Sequence, residues 1–286
     1  MVKDRLSFWG GYALIDSLYD RNWTLSNTPK YQIKQVSTQL TYGLTDKIDV
    51  EYDFYYLYNT TQSKSYNHVG DMDIILGYQL LPDIRLTLEE IFPSGKFDDL
   101  NSLEFGADIS GSGSFQTALG LNYEHLLKLN EYHYLNTHAC VAYNYAANVA
   151  LKSLSTYGGS TLTHGHIRPG NAVTIDLAGE LSLTQHWVAV MEGLFIYQQA
   201  SHFQGFLGEI PVGTRFHNRV VPNKHNIGGE HNNFIGSGNL DEFSLAPAME
   251  YNVSQNLGFI AGAWFTVAGK NIPAFSSAVL SVNIGW

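Results

Sequence analysis

Phe275-Ser-Ser-Ala-Val-Leu-Ser-Val-Asn-Ile-Gly-Trp286 is the stretch on which the fold turns. Read with a period of two, it puts Ala278, Leu280, Val282, Ile284 and Trp286 on one face, and Ser277, Ser281, Asn283 and Gly285 on the other. A strand patterned this way suits a wall between lipid and a wet lumen. Its terminal Trp is the kind of ring, apolar with one polar atom, that sits well where membrane meets water. Soluble half-buried strands also alternate, so the reading depends on recurrence along the chain.

The 286 residues include 18 Tyr, 15 Phe and 5 Trp but only 8 Pro, a supply of strand formers beyond what a helical domain uses. No apolar run approaches the roughly 20 residues of a spanning helix. A transmembrane barrel escapes that test, because every second residue faces the lumen and is free to be polar. With 26 acidic residues against 16 basic ones, the formal charge of -10 removes nucleic acid from the list of partners. Cys140 is the sole cysteine, which excludes an intramolecular disulfide and a cysteine-based zinc site, and it reads as a packing residue within a strand. The opening Met1-Val-Lys-Asp-Arg5 lacks the apolar run of a secretory signal. An exported protein is therefore expected here in mature form, with Met1 added or renumbered.

Period-two stretches bounded by turn residues recur near 5–18, 32–43, 47–59, 70–80, 84–93, 113–125, 132–146, 171–183, 186–199, 241–252, 257–268 and 274–286. The expectation is an all-β, antiparallel up-and-down transmembrane barrel of about twelve strands, filling 1–286 as a single domain. The connections alternate in length. Leu44-Thr-Asp-Lys47, Leu81-Pro-Asp83, Lys128-Leu-Asn-Glu131, Leu183-Thr-Gln185 and Ser254-Gln-Asn256 read as tight turns. Longer loops fall near 19–31, 60–69, 94–112, 147–170, 200–240 and 269–273. Short turns on one rim and long loops on the other predict periplasmic turns, extracellular loops and two periplasmic termini in a bacterial outer membrane. Tyr42, Tyr78, Tyr123, Trp187, Tyr251 and Trp286 flank the short turns and predict an aromatic girdle.

The third stretch shows the two faces most clearly: Ile48, Val50, Tyr52, Phe54, Tyr56 and Tyr58 alternate with Asp49, Glu51, Asp53 and Tyr55. One face is greasy and the other anionic. Around this segment, Tyr42-Gly-Leu-Thr-Asp-Lys-Ile-Asp-Val50 and Gly70-Asp-Met-Asp-Ile-Ile-Leu-Gly-Tyr78, followed by a strand ending Phe92-Pro-Ser-Gly95, resemble the outer-membrane family named for the meta-pathway of phenol degradation. Leu181-Ser-Leu-Thr-Gln-His-Trp187, Leu245-Ala-Pro-Ala-Met-Glu-Tyr251 and Ser254-Gln-Asn-Leu-Gly258 fit the same hairpin style. The resemblance implies a channel for small, often aromatic or hydrophobic, molecules.

By parity the inward acids are Asp49, Glu51, Asp53, Asp73, Glu89, Glu124, Asp176, Glu180, Glu192, Glu242 and Glu250, with Arg85 expected as the single strand-interior cation. Such a lumen favours cations or neutral solutes over anions. The stretch at 186–199 departs from the rule, turning Val188, Val190, Leu194 and Ile196 inward beside Glu192. With Ile260 and Trp264 these form an apolar stripe suited to a greasy solute or to a packed loop. The loop at 200–240, carrying Phe203, Phe206, Leu207 and Ile210, is too apolar to stand in solvent and is expected to plug the barrel. Strict alternation points Glu90 at lipid, so either a bulge at Glu89-Glu90 turns it inward or it lies at the outer rim, and Pro247, lacking an N–H, implies a bulge in its strand.

Other functions find less support. His133 and His138 lie on opposite faces, with no nucleophile motif beside them, so no catalytic residue and no enzyme activity is expected. His164-Gly-His166, His217, His225, His231 and Glu230 fall in loops, where such residues are more often solvated than metal-bound, so neither metal nor cofactor is expected. The expected partners are membrane lipid, lipopolysaccharide and a small-molecule solute. A structural or adhesive barrel using its large loops and, less well supported, a lipid-modifying enzyme remain the alternatives. Oligomeric state stays open, since a closed barrel leaves no sheet edge that demands a partner.

Overall fold

A computed structural model describes residues 4–61, 64–101, 106–208, 215–216, 219–220 and 235–286. In chain order the strands are β1 (Arg5–Tyr19), β2 (Leu25–Gly43), β3 (Ile48–Thr60), β4 (Ser65–Val69), β5 (Met72–Leu81), β6 (Ile84–Phe92), β7 (Gln116–Lys128), β8 (Tyr134–Ala146) and β9 (Val149–Leu151). They continue as β10 (His164–Arg168), β11 (Ala172–Ser182), β12 (Trp187–Gln198), β13 (His202–Phe206), β14 (Arg215–Phe216), β15 (Arg219–Val220), β16 (Leu240–Ser254), β17 (Leu257–Lys270) and β18 (Ile272–Gly285). No helix occurs among the described residues.

Twelve of these strands pair with their neighbours in the order β1, β2, β3, β5, β6, β7, β8, β11, β12, β16, β17, β18, and β18 returns antiparallel to β1. The sheet is thus a closed antiparallel barrel. Closure runs from Arg5↔Gly285 to Tyr19↔Ile272, with one bulge between Ile15 and Ser17.

The short turns share a device. Thr45 Oγ1 accepts from the N–H groups of Lys47 (3.2 Å) and Ile48 (3.0 Å), and Thr184 Oγ1 accepts from those of His186 (3.2 Å) and Trp187 (3.0 Å). Asn130 Oδ1 does the same for Tyr132 (2.8 Å) and His133 (2.9 Å). A short polar side chain after a leucine thus replaces a missing strand partner at three hairpins. All three lie at the same barrel end, called here the turn end.

The outer surface is apolar. Val36, Leu40, Tyr52, Phe54, Leu76, Leu88, Leu119, Leu121, Val141, Leu177 and Leu280 are all exposed, while the residues between them turn into the lumen. A surface this greasy belongs in lipid rather than water. Tyr42, Tyr78, Tyr123, Trp187, Tyr251 and Trp286 stand exposed toward the turn end, and Trp187 packs on Tyr251 with ring centroids 4.7 Å apart.

At the opposite, loop end the strands outrun the expected lengths. β2 begins at Leu25, because Leu25–Asn27 pair with Ser17–Tyr19. The expected loop at 60–69 is largely β4, which prolongs the β5 line against Tyr56–Thr60 of β3. The expected 269–273 loop shrinks to a turn at Asn271, held at φ 54, a left-handed conformation that Asn tolerates. Of the two alternatives at Glu90 the outer rim holds, and the bulge expected at Pro247 is absent. β6 keeps its register through Glu90, which faces outward two residues before the strand ends and accepts a hydrogen bond from Thr117 Oγ1 (2.7 Å). At Pro247 the β16–β17 ladder lapses between Leu245↔Phe265 and Ala248↔Gly262 and resumes in the same register. A missing N–H is absorbed there by skipping bonds rather than by inserting a residue.

If the outer face meets lipid, charge on it must be penalised by depth. Leu121→Arg, near the middle of β7, should cost about 2–4 kcal/mol, and Leu127→Arg, close to the turn, below about 1 kcal/mol. Urea unfolding in vesicles measures both, and equal losses would contradict a lipid-facing β7.

Candidate functional site

The lumen is the one interior the fold creates, and its side chains follow from parity. β3 turns Asp49, Glu51, Asp53, Tyr55, Leu57 and Asn59 inward, because its other face carries the exposed Tyr52, Phe54, Tyr56 and Tyr58. The same alternation puts Asp73, Glu89, Glu124, Asp176, Glu180, Glu192, Glu242 and Glu250 inside. Asp53 lies directly across the β3–β5 ladder from Asp73.

Most of these acids are satisfied by neutral donors. Gln39 Nε2 (2.8 Å) and Thr41 Oγ1 (2.9 Å) donate to the two oxygens of Glu51. Tyr55 OH donates to Asp73 (3.0 Å), and Asn136 Nδ2 bridges Glu124 (2.9 Å) and Glu180 (3.3 Å). Asp49 differs: buried at 3% exposure, it takes the Arg85 guanidinium through both Nε and Nη2. Gly77 makes that pair possible. It lies between Asp49 and Thr87 in the ladder, and a Cβ there would collide with the guanidinium. Arg85 does not stand alone as an inward cation: Arg5 of β1 also faces inward and approaches Glu51 at 4.0 Å. Lying so close to the start of its strand, Arg5 was easily read as part of the terminus.

At the turn end these groups surround a cavity of about 520 Å³, lined by Arg5, Asp49, Glu51, Arg85, Glu124 and Glu250 among others. Val188, Val190, Leu194 and Ile196 of β12 and Ile260 and Trp264 of β17 occupy inward positions. Trp264 Nε1 donates to Ser244 Oγ (2.9 Å), and its ring meets Phe275 edge to face at 5.1 Å. Trp9 adds a further inward aromatic on β1, a residue that the Gly10-Gly11 interruption hid from the pattern. β17 and β6 stand half a turn of the ring apart, so the Trp264 wall faces the Glu89 wall.

The loop end is filled by segments of three loops. Three residues facing into the barrel grip segment 94–112: Tyr31 OH donates to Gly106 O (3.2 Å), Asn59 Nδ2 to Ile109 O (2.6 Å), and Asp71 accepts from Gly95 N (3.0 Å) and Ser112 N (2.8 Å). Ala107 and Asp108 are buried in consequence, and Lys96 Nζ pairs with Asp108 at 3.0 Å. Beside this segment β9, β10 and β13 form a small sheet, whose Val149, Leu151 and Ile167 pack with Ile235, Phe97, Tyr157, Phe203 and Leu207. Among the described residues, the segment that takes bonds from Tyr31, Asn59 and Asp71 is 94–112 rather than any part of 200–240. Phe203 and Leu207 belong to the common cluster, Phe206 is exposed against His164 (5.2 Å), and Ile210 lies outside the described residues. His164 and His166 share the exposed face of β10, whereas His217, His225, Glu230 and His231 lie outside the described residues.

No protein-family model and no curated protein matches the sequence. Among solved structures, an outer membrane channel from Pseudomonas putida F1 superposes with a TM-score of 0.69 at 12% identity, covering 99% of this chain and 95% of that one. The fold is that of an outer-membrane β-barrel. The NanC porin (TM-score 0.46, 9% identity, 98% of each chain) and the Ralstonia pickettii toluene transporter TbuX (0.45, 10%, 100% of this chain and 90% of that one) also align, more loosely.

The Arg85–Asp49 pair yields a stability test. Arg85→Met strands a buried carboxylate and should destabilise by about 1–3 kcal/mol, discounted for the partial exposure of Arg85. Adding Asp49→Asn should recover part of that loss in urea titration. Additive losses would show that the two groups are not coupled.

Proposed function

We propose that this chain is an outer-membrane channel for the passive uptake of small molecules, with its short turns and both termini in the periplasm. The observation that carries the reading is a barrel greasy outside and acidic inside, opening at the turn end into the cavity described above. Few cations face these acids, Arg85 beside Asp49 and Arg5 near Glu51, and a lumen so lined favours cations and neutral solutes over anions. The wall of Val188, Val190, Leu194, Ile196, Ile260 and Trp264 offers apolar surface alongside that wet path, suited to a hydrophobic or aromatic solute. The resemblance to the phenol meta-pathway family agrees with such a solute. Lipid contacts the outer face, and lipopolysaccharide the rim at the loop end.

Purified, refolded protein in a planar bilayer under a potassium chloride gradient should show small steps with a cation-selective reversal potential. Neutralising Asp53, Asp73 and Glu89 together should move that potential toward zero. Anion selectivity would overturn the acidic-lumen reading, and silence from folded protein would overturn an open channel. A second measurement addresses the solute. Trp264→Ala should slow uptake of a small aromatic probe into liposomes while leaving potassium conductance at or above its original value; unchanged uptake would remove the apolar wall from the transport path.

A further inference from the structure

We infer that Asp71 is the latch that fastens the loop plug to the barrel wall and thereby sets the size limit of the channel, an inference resting on the channel reading above. Asp71 stands where the β4 line passes into β5. Pairing with β3 lapses there, between Tyr56↔Val69 and Asp53↔Asp73, although Gly70 N still donates to Tyr55 O (2.8 Å). The break frees Asp71 from the ladder and lets its carboxylate reach across to the loop.

Its two oxygens divide the work. Oδ1 accepts from Gly95 N (3.0 Å), and Oδ2 accepts from both Ser112 N (2.8 Å) and Ser112 Oγ (2.8 Å). Gly95 and Ser112 are the two ends of the plugging segment, so one side chain ties its neck shut. The neck has room for nothing larger than glycine: a Cβ on Gly111 would fall 2.5 Å from Asp71 Oδ1 and 2.7 Å from Gly95 Cα. Ser94 Oγ adds a bond to Gly70 O (2.8 Å).

The rest of the plug hangs from this neck. Ser112 O accepts from Tyr157 OH (2.6 Å), and Phe97 O from Thr156 N (2.7 Å). Asp98 takes the N–H groups of Lys152 (2.9 Å) and Ser153 (3.2 Å), and Leu100 N donates to Leu154 O (3.0 Å). The second loop in turn holds the third, since Tyr157 O accepts from Gly236 N (2.7 Å). From the wall, Tyr31 and Asn59 each supply a single neutral hydrogen bond to segment 94–112, whereas the Asp71 bonds are charge-assisted and roughly twice as strong each. Asp71 touches the loop rather than the solute, so it is a positioning residue.

The test compares full-length protein with Asp71→Ala, Asp71→Asn, Gly111→Ala and a variant in which residues 96–110 are replaced by a short Gly-Ser bridge. Folding is verified by heat-modifiable gel mobility. Single-channel conductance and the largest sugar admitted in liposome swelling are then read. The two Asp71 variants should raise conductance several-fold and admit larger sugars, approaching the bridged variant. Gly111→Ala keeps the carboxylate but pushes it off the neck, and should give the same rise even if the Asp71 variants misfold. If the bridged variant opens while Asp71 and Gly111 variants stay at wild-type values, the latch is overturned and the channel reading survives. If the bridged variant also stays at wild-type values, the loop constriction falls with it.

Discussion

The antiparallel pairing of Arg5–Tyr19 with Ile272–Gly285 is the contact on which everything else depends. In hydrocarbon no water is available to satisfy backbone N–H and C=O groups, so a sheet survives only if it has no edge. Once the first and last strands meet, every strand has a partner on both sides through the belt of exposed apolar residues. The ladder then forces alternate side chains inward and outward except where a bulge shifts the register, as between Ile15 and Ser17, and a polar lumen inside a greasy cylinder follows from the sequence period.

That constraint relaxes toward the loop end, and the architecture changes there. β4 pairs with β3 but has no strand on its far side among the described residues, and the upper parts of β17 and β18 pair outward with β16 and β1 rather than with each other beyond Phe265↔Ser276. Side chains complete what the ladder leaves open: Tyr19 OH donates to Val267 O (2.8 Å), and Thr266 Oγ1 accepts from Phe275 N (3.3 Å). Segment 94–112 does the equivalent beside β4, lending its own backbone to Asn59, Asp71 and Tyr31.

How much of this was legible depended on whether a residue's role was periodic. Ile48–Tyr58 announced its two faces because lipid and lumen impose opposite chemistry on successive residues, and the inward acids followed from parity alone. The extensions of β2 and β4 were not legible. Ser26-Asn-Thr-Pro-Lys30 and Ser65-Tyr-Asn-His-Val69 carry polar residues on both faces, and only the partner strand makes them extended. The packing of the loops was half legible. The phenylalanines of 200–208 showed that something had to be buried, but apolar content does not say which loop is tied to the wall. Segment 94–112 is rich in Gly, Ser and Asp, reads as an ordinary surface loop, and is held by side-chain bonds to backbone that leave no periodic trace.

The inward acids differ in the donors the fold gives them. A carboxylate drawn into a narrow, partly desolvated space must have its lone pairs satisfied, or it will take up a proton. An arginine would satisfy them and cancel the charge, as Arg85 does for Asp49. Glu51, Asp73, Glu124 and Glu180 instead take bonds from Gln39, Thr41, Tyr55 and Asn136, each neutral, although Arg5 also approaches Glu51. Such groups meet the hydrogen-bonding demand without bringing an opposing charge. Replacing one with a cation would keep the bond count and add an opposing charge, so the electrostatics of the lumen depend on the amides and hydroxyls that face the acids as well as on the acids themselves.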